Sequence, residues 1–323
     1  MINHILVPLD GSTLAECVLP HVVAIAPMTN ARVTLVHVME PLQNERGSPA
    51  VDPVEWHLQK QNSERYLEQI AGQLKASGIL GVEPVILEGS PANSVVDFAR
   101  GNNVDLIVLS THGQSGLSGW NVSSVVQKVL LRSYKSILLV RAYLPDSAGM
   151  TKVRYKRLFV GLDCSLRSEF VQPFAISLAQ HHTTHLILER VIEKPQTISR
   201  FPPSAEDTEV LNTFLEKNYQ AASRYLDQLI TQFSSMPEVK ITAHVSTADK
   251  VIPVLHDLVE ESNADLVMLA AHGYSGERRW PYGSVTTSFI AYGNTSLMIL
   301  QDLHEAEIHQ TRAEMAIRES KGH

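Results

Sequence analysis

The sequence predicts an α/β protein with two tandem domains, each built on a doubly wound parallel sheet. Three observations support this: the length of 323 residues, one long internal duplication, and alternating strand-like and helix-like runs in each copy. The duplication is clearest where residues 103–116, NVDLIVLSTHGQSG, return as residues 263–276, NADLVMLAAHGYSG. At roughly 150 residues per domain the chain accommodates two domains, and so long a period excludes a solenoid repeat.

The first copy shows the element order βαβαβαβαβ. We predict strands over 4–9, 32–39, 82–87, 104–110 and 136–140, and helices over 12–28, 54–76, 91–101 and 124–132. A Thr13-x-x-Glu16 capping box is expected to start the first helix. Unbroken apolar strands between amphipathic helices are typical of a parallel sheet that is covered on both faces.

The second copy repeats this order with a small insertion. The offset between the copies is 153 residues at Asp10 and Asp163 and 160 residues at Gly113 and Gly273. We place the roughly seven extra residues in the long helix or in the turn after it. The predicted divisions are domain 1 over 1–141, a polar linker over 142–155, domain 2 over 156–301 and a charged tail over 302–323. A surface helix and a partner-binding segment both remain open for the tail.

Composition narrows the class of protein. With 44% hydrophobic and 19% charged residues the chain resembles an ordinary globular protein, and its net charge of −7 argues against binding nucleic acid by phosphate neutralisation. No apolar run approaches the roughly 18 residues needed to span a membrane, and the chain starts directly with a strand-like run. Two cysteines suit a reducing compartment, so we expect a cytoplasmic protein.

Each copy places a loop of small residues between a buried strand and a helix. The His-Gly-x-Ser-Gly loop leads to Ser123-Ser124 in the first copy and to Gly283-Ser284 in the second. The first N–H groups of a helix lack intrahelical partners and attract anions, and ligands of doubly wound sheets lie at the carboxyl ends of the strands. The sequence therefore predicts a phosphate site in each copy. It contains no Walker loop, and no Gly-x-Gly-x-x-Gly follows the first strand.

These motifs resemble the universal stress protein family, in particular its tandem members. The family pattern is Gly-x-x-Gly, nine residues, then Gly-Ser or Gly-Thr, with an Asp that closes the first strand. The resemblance implies two Rossmann-like, universal stress protein-like domains that form a pseudo-dimer, and an ATP site with Mg²⁺ carried on the phosphates. In domain 2 it assigns this site to Asp163, Val191, Ala270, Gly273, Gly283, Ser284 and Val285, and in domain 1 to Asp10, Val38, Ser110, Gly113, Ser123 and Ser124. Arg278 and Arg279 lie in the domain 2 loop, where phosphate binding and exposure to solvent are both open.

Domain 2 is predicted to be the better nucleotide site. Gly283 matches the third glycine of the pattern, whereas Ser123 stands at that position in domain 1. If the position needs a left-handed backbone or close approach of a phosphate, a Cβ there costs roughly 1–2 kcal/mol. We therefore expect domain 1 to bind weakly, or to be closed by its own Ser123 hydroxyl.

Several residues have structural interpretations beside functional ones. Asp10 and Asp163 suit capping of the helices that follow them. His112 and His272 are interpreted as loop anchors, because no nucleophile elbow accompanies them. Cys164 lies at a helix start and is a candidate for a lowered thiol pKa. The sequence predicts no metal site, since no acidic or cysteine ligand completes the set of histidines near the second strand of domain 2.

The leading functional hypothesis is a cytoplasmic adenine-nucleotide-binding regulator or sensor of stress responses. A nucleotide-independent scaffold for partner proteins is the alternative, and a slow ATPase or autophosphorylating enzyme ranks last because no activating base is visible. The apolar runs Ile137–Val140 and Leu297–Leu300 are expected to pair across a pseudo-two-fold axis. The protein partner and any further homodimer remain open.

Overall fold

In a computed structural model, the described residues are 2–40, 53–117, 121–143, 153–195, 204–233, 239–274 and 280–303. Arg278, Arg279 and the tail after Leu303 lie outside this part of the chain. Within it, no helix is both long enough and apolar enough to cross a membrane.

Domain 1 follows the predicted order of elements. They are β1 His4–Pro8, α1 Thr13–Glu16, α2 Leu19–Thr29, β2 Arg32–Met39, α3 Pro53–Ala76, β3 Val82–Glu88, α4 Pro91–Gly101, β4 Leu106–Ser110, α5 Ser124–Ser133 and β5 Ser136–Val140. The predicted bounds are confirmed to within two residues, except for the first helix.

The predicted first helix is interrupted and starts at a different cap. Ser12, not Thr13, caps α1, because its hydroxyl oxygen accepts from the backbone N–H of Ala15 at 3.1 Å. The helix ends at Glu16 and a new helix begins at Leu19, with Pro20 in its first turn. Proline has no N–H to bond back to the preceding turn, so it favours a fresh helix start at this point.

Domain 2 repeats these elements. They are β6 Arg157–Gly161, a 3₁₀ turn at Ser168–Val171, α6 Gln172–His182, β7 His185–Glu193, α7 Ala205–Phe233, β8 Ile241–Ala248, α8 Val251–Ser262, β9 Leu266–Ala270, α9 Ser284–Tyr292 and β10 Ser296–Leu300. The long helix has 29 residues in domain 2 and 24 in domain 1, so it contains most of the insertion.

The strands of both domains form one sheet of ten strands in the order β3-β2-β1-β4-β5-β10-β9-β6-β7-β8. The pairings within each domain are parallel, whereas β5 and β10 are antiparallel, with Leu139 opposite Leu297 and Ile137 opposite Ile299. The predicted pseudo-dimer is thereby confirmed. The last strand of each domain would be an edge strand in isolation, and each covers the other.

Helices cover both faces of the sheet, and each of the two hydrophobic clusters contains residues of both domains. The domain boundaries expected from composition place two core residues outside the domains. Tyr155, assigned to the linker, is fully buried, and its hydroxyl oxygen lies 2.7 Å from Nδ1 of His21. Leu303, assigned to the tail, is also buried. Both residues are therefore part of the packed molecule.

Candidate functional site

In domain 1, a carboxylate clamps the loop that follows β4. Oδ1 of Asp10 accepts from the backbone N–H and hydroxyl of Ser12 at 3.0 and 2.6 Å, and Oδ2 accepts from the backbone N–H of Gln114 at 2.6 Å. A Cβ on Gly113 would overlap Oδ2 of Asp10, although the backbone of Gly113 does not have a positive φ. Close approach of the carboxylate therefore explains this glycine.

Domain 2 repeats the clamp. Oδ1 of Asp163 accepts from the N–H and hydroxyl of Ser165 at 2.9 and 2.5 Å, Oδ2 accepts from the N–H of Tyr274 at 2.5 Å, and a Cβ on Gly273 would overlap this carboxylate. Burial alone would raise the pKa of Asp163, but these hydrogen bonds outweigh burial and lower it.

The capping interpretation of the two aspartates needs correction. Neither carboxylate caps a helix directly. Each holds a serine, Ser12 or Ser165, whose hydroxyl oxygen accepts from the backbone N–H three residues later, at 3.1 Å in both copies. The aspartates thus connect the turn after the first strand to the loop after the fourth strand of the domain.

A cavity of about 540 Å³ lies beside the domain 1 clamp. Five of the six predicted residues of this domain line it, namely Asp10, Val38, Ser110, Gly113 and Ser123, and Ser124 begins α5 next to it. Valine and leucine side chains form its apolar wall: Val36, Val38, Val95, Leu109, Val126 and Val129. The cavity therefore joins an apolar pocket to the N-terminus of a helix.

The corresponding cavity of domain 2 has only about 110 Å³. Its wall brings together seven predicted residues, Asp163, Val191, Ala270, Gly273, Gly283, Ser284 and Val285. Larger side chains stand where domain 1 has valines: Leu255 matches Val95, and Phe289, which is buried and stacks on His256 with ring centroids 4.0 Å apart, matches Val129. Leu255 lines the smaller cavity, whereas Phe289 packs in the core behind it and does not border it.

A buried carboxyl group further distinguishes domain 2. Glu189 matches Val36 of domain 1, is 2% exposed, and accepts a hydrogen bond from the Ser246 hydroxyl at 2.6 Å. Burial raises the pKa of Glu189. The next residue, Arg190, lines the cavity, and its buried Nε has no hydrogen-bond partner in the described part of the chain. Of these two ionisable residues only Arg190 lines the domain 2 cavity, and His37 stands at the matching position of the domain 1 wall.

The two helix starts differ less than the glycine pattern indicates. Ser123 has φ −67° and ψ 158°, and Gly283 has φ −73° and ψ 172°, so both positions are extended and the premise of a left-handed backbone is wrong. A Cβ on Gly283 would meet its nearest neighbour, the Ala271 carbonyl oxygen, at an ordinary 3.7 Å. The Ser123 hydroxyl oxygen accepts from the N–H of Val126 at 3.4 Å, and the cavity beside it is open.

His272 anchors the loop that follows β9 in domain 2, as the sequence predicts. Its Nδ1 lies 2.7 Å from Oδ1 of Asp302, and its Nε2 lies 2.6 Å from the Trp280 carbonyl oxygen. Asp302 also accepts from Nε of Arg167 at 2.6 Å. Burial would raise the pKa of Asp302, but His272 and Arg167 outweigh burial and lower it.

Sequence reasoning missed Asp302 because it was grouped with the charged tail. Its position directly after β10, at the carboxyl edge of the sheet, is the signal that could have identified it. The lowered thiol pKa considered for Cys164 is not found, because burial raises this pKa.

Fold and site together define a tandem Rossmann-like protein with candidate ligand cavities at the carboxyl ends of its strands. Comparison with known proteins identifies the family: the sequence model of the Universal stress protein family matches residues 1–141 and again 154–301. The chain therefore belongs to the universal stress protein family and contains two copies of its domain.

Relatives match either one copy or the whole chain. Universal stress protein MJ0531 of Methanocaldococcus jannaschii is 30% identical over 139 residues, which are 42% of this chain and 81% of that protein. A universal stress protein of Mycolicibacterium smegmatis is 22% identical over 301 residues, 92% of this chain and 96% of its own length. The second match supports the tandem arrangement along nearly the full sequence.

Solved structures agree on the fold. A universal stress protein of Archaeoglobus fulgidus matches with a TM-score of 0.65 at 16% identity, covering 94% of this chain and all of that one. A further match, with a TM-score of 0.35 and 22% identity over 44% of this chain and 98% of the other, is described as a universal stress protein in complex with cAMP.

Proposed function

We propose that this chain binds an adenine nucleotide in the cavity of domain 1 and acts as a nucleotide-responsive regulator of stress responses in the cytoplasm. The observation that supports this most strongly is the cavity of about 540 Å³ beside the N-terminus of α5. Its size falls within the range of roughly 300–1,000 Å³ that is typical of small-molecule sites. Membership in the universal stress protein family supports the stress-response part of the proposal.

The wall of the cavity suits the parts of a nucleotide. The apolar side chains of Val36, Val95 and Val129 offer a surface on which a purine ring can lie. At the other end, the first N–H groups of α5 and its dipole suit a phosphate. Asp10 fixes the loop between these two parts, so the site is held by a rigid scaffold.

The geometry favours domain 1 over domain 2, against the preference inferred from the glycine pattern. Domain 2 keeps Gly283 but has about a fifth of the cavity volume, since the two volumes are about 110 and 540 Å³. In this proposal domain 2 serves chiefly as the structural partner of domain 1.

The test is calorimetric titration of the full chain with AMP, ADP and ATP, together with mass spectrometry for nucleotide that co-purifies. Val129→Phe introduces into domain 1 the side chain that domain 2 has at this position. We expect it to fill the cavity and to weaken binding at least about tenfold, or about 1.4 kcal/mol. The matched variant Phe289→Leu changes only domain 2 and is expected to leave the affinity unchanged.

Two outcomes would contradict the proposal. If no adenine nucleotide produces heat or a thermal shift, the nucleotide-independent scaffold becomes the better hypothesis. If Val129→Phe binds nucleotide as tightly as the unmodified chain does, while Gly283→Ser loses binding, the nucleotide site lies in domain 2.

A further inference from the structure

The charges around the domain 1 cavity are unusual for a polyphosphate site. The described residues of its wall include two carboxylates, Asp10 and Glu40, and neither a lysine nor an arginine. Its two histidines are His37, whose Nδ1 lies 2.9 Å from the Leu9 carbonyl oxygen, and the buried His112. Among the described residues, this wall thus has no side chain of fixed positive charge of the kind that commonly holds the outer phosphates of a nucleotide.

The sequences of the two loops show the same difference. From Gly113 to Ser124 the loop of domain 1 contains no charged residue, whereas the loop of domain 2 from Gly273 to Ser284 contains one glutamate and two adjacent arginines. The duplication therefore provides an internal comparison. Of the two loops, only that of domain 2 contains cations, which commonly bind a chain of phosphates.

The positive potential at the domain 1 site comes from the start of α5. A helix N-terminus corresponds to about half a positive charge, and its effect falls off within the first turn. The Ser123 hydroxyl oxygen already accepts from the N–H of Val126. The donors that remain for a ligand are the N–H groups of Ser124 and Val125 and the Ser124 hydroxyl. This set of donors suits the oxygens of one phosphate group.

We propose that the domain 1 cavity selects adenine ligands with a single phosphate group, as in AMP or a cyclic monophosphate, over ATP. This inference rests on the proposed nucleotide function. The two additional phosphates of ATP would lie beyond the first turn of α5, in a wall with two carboxylates. A divalent cation bound to these phosphates reduces the repulsion, so ATP depends on Mg²⁺ for binding and AMP does not.

The experiment is calorimetric titration of the full chain with adenosine, AMP, ADP and ATP, first without divalent cations and then with Mg²⁺. Without metal we expect AMP to bind at least about tenfold more tightly than ATP, a difference that Mg²⁺ reduces. ATP binding as tightly as AMP without metal overturns the inference while leaving the proposed function intact. Absence of binding by all four ligands rejects the proposed function instead.

A charge variant tests the cause of the selectivity. Ser115 is exposed and lines the cavity, so Ser115→Arg places a cation at its rim. In the absence of metal, we expect this variant to increase the affinity for ATP about tenfold more than it increases the affinity for AMP. Ser115→Gln adds length without charge, and Asn212→Arg adds the same charge on an exposed position of α7 in the other domain. Neither control is expected to change the ratio of ATP affinity to AMP affinity. If Ser115→Arg also leaves this ratio unchanged, the electrostatic explanation is overturned.

Discussion

Gly113 and Asp10 provide the sharpest test of how the loop beside the cavity is held. A Cβ on Gly113 would overlap Oδ2 of Asp10, and the φ of Gly113 is not positive, so the cost of Gly113→Ala should come from this carboxylate. Asp10 can move away only by giving up its hydrogen bonds to Ser12 and Gln114. A lost hydrogen bond to a charged group costs about 1.5–3 kcal/mol, and overpacking costs about 1–3 kcal/mol. We therefore expect Gly113→Ala to lower the free energy of unfolding by about 3 kcal/mol.

The double variant separates this explanation from a general intolerance of alanine. In an Asp10→Ala background the overlap is absent, and Gly113→Ala should be neutral or slightly stabilising, because alanine reduces the entropy of the unfolded chain. The coupling energy in the double-mutant cycle is then about 3–4 kcal/mol, measured by urea denaturation. Asp163 and Gly273 provide a matched cycle in domain 2 with the same expected result. An equal cost of Gly113→Ala with and without Asp10 would refute the reasoning.

Two further predictions concern the junction between the domains. Arg141 is fully buried and donates to the carbonyl oxygens of Phe289 and Ile290 in the last turn of α9 and of Thr295 just before β10. Arg141→Met should leave these acceptors unsatisfied and lower the free energy of unfolding, measured by urea denaturation, by about 3 kcal/mol. A loss below about 1 kcal/mol would contradict this. Burial lowers the pKa of His21 from 6.5 to about 4. Because this folded-state pKa lies below the unfolded value, stability should fall as pH decreases from about 6.5 to about 4, by on the order of 3 kcal/mol. The His21→Leu variant should lose that part of the pH dependence, and an unchanged pH profile would reject the assignment.

The order of strands and helices could be predicted because it depends on local patterns. Apolar strands such as Leu106–Ser110 and the amphipathic helix Pro91–Gly101 have clear periodicities, and these bounds depend little on tertiary contacts. The pairing of β5 with β10 was also accessible, since two apolar strands at the ends of their domains would otherwise be exposed edges. The family resemblance supplied the direction of that pairing.

The relative size of the two cavities could not be read from the motif. Ser123 and Gly283 both adopt an extended N-cap conformation, in which serine is at least as favourable as glycine, so the missing glycine carried less information than expected. Cavity volume instead depends on core positions such as Val129 and Phe289. Both residues satisfy the same helical pattern, and only the packed structure shows that Val129 borders a cavity whereas Phe289 is packed in the core.

The tandem arrangement permits the divergence that the two copies display. In a symmetric homodimer every substitution occurs in both subunits, so one ligand cavity cannot be filled while the other is kept. Here β5 and β10 join the copies within one chain, and Glu189 and Phe289 change domain 2 alone. Phe289 belongs to the same hydrophobic cluster as Leu297 and Ile299 of β10, so its larger side chain adds buried contacts beside the central strands without reducing the space in domain 1.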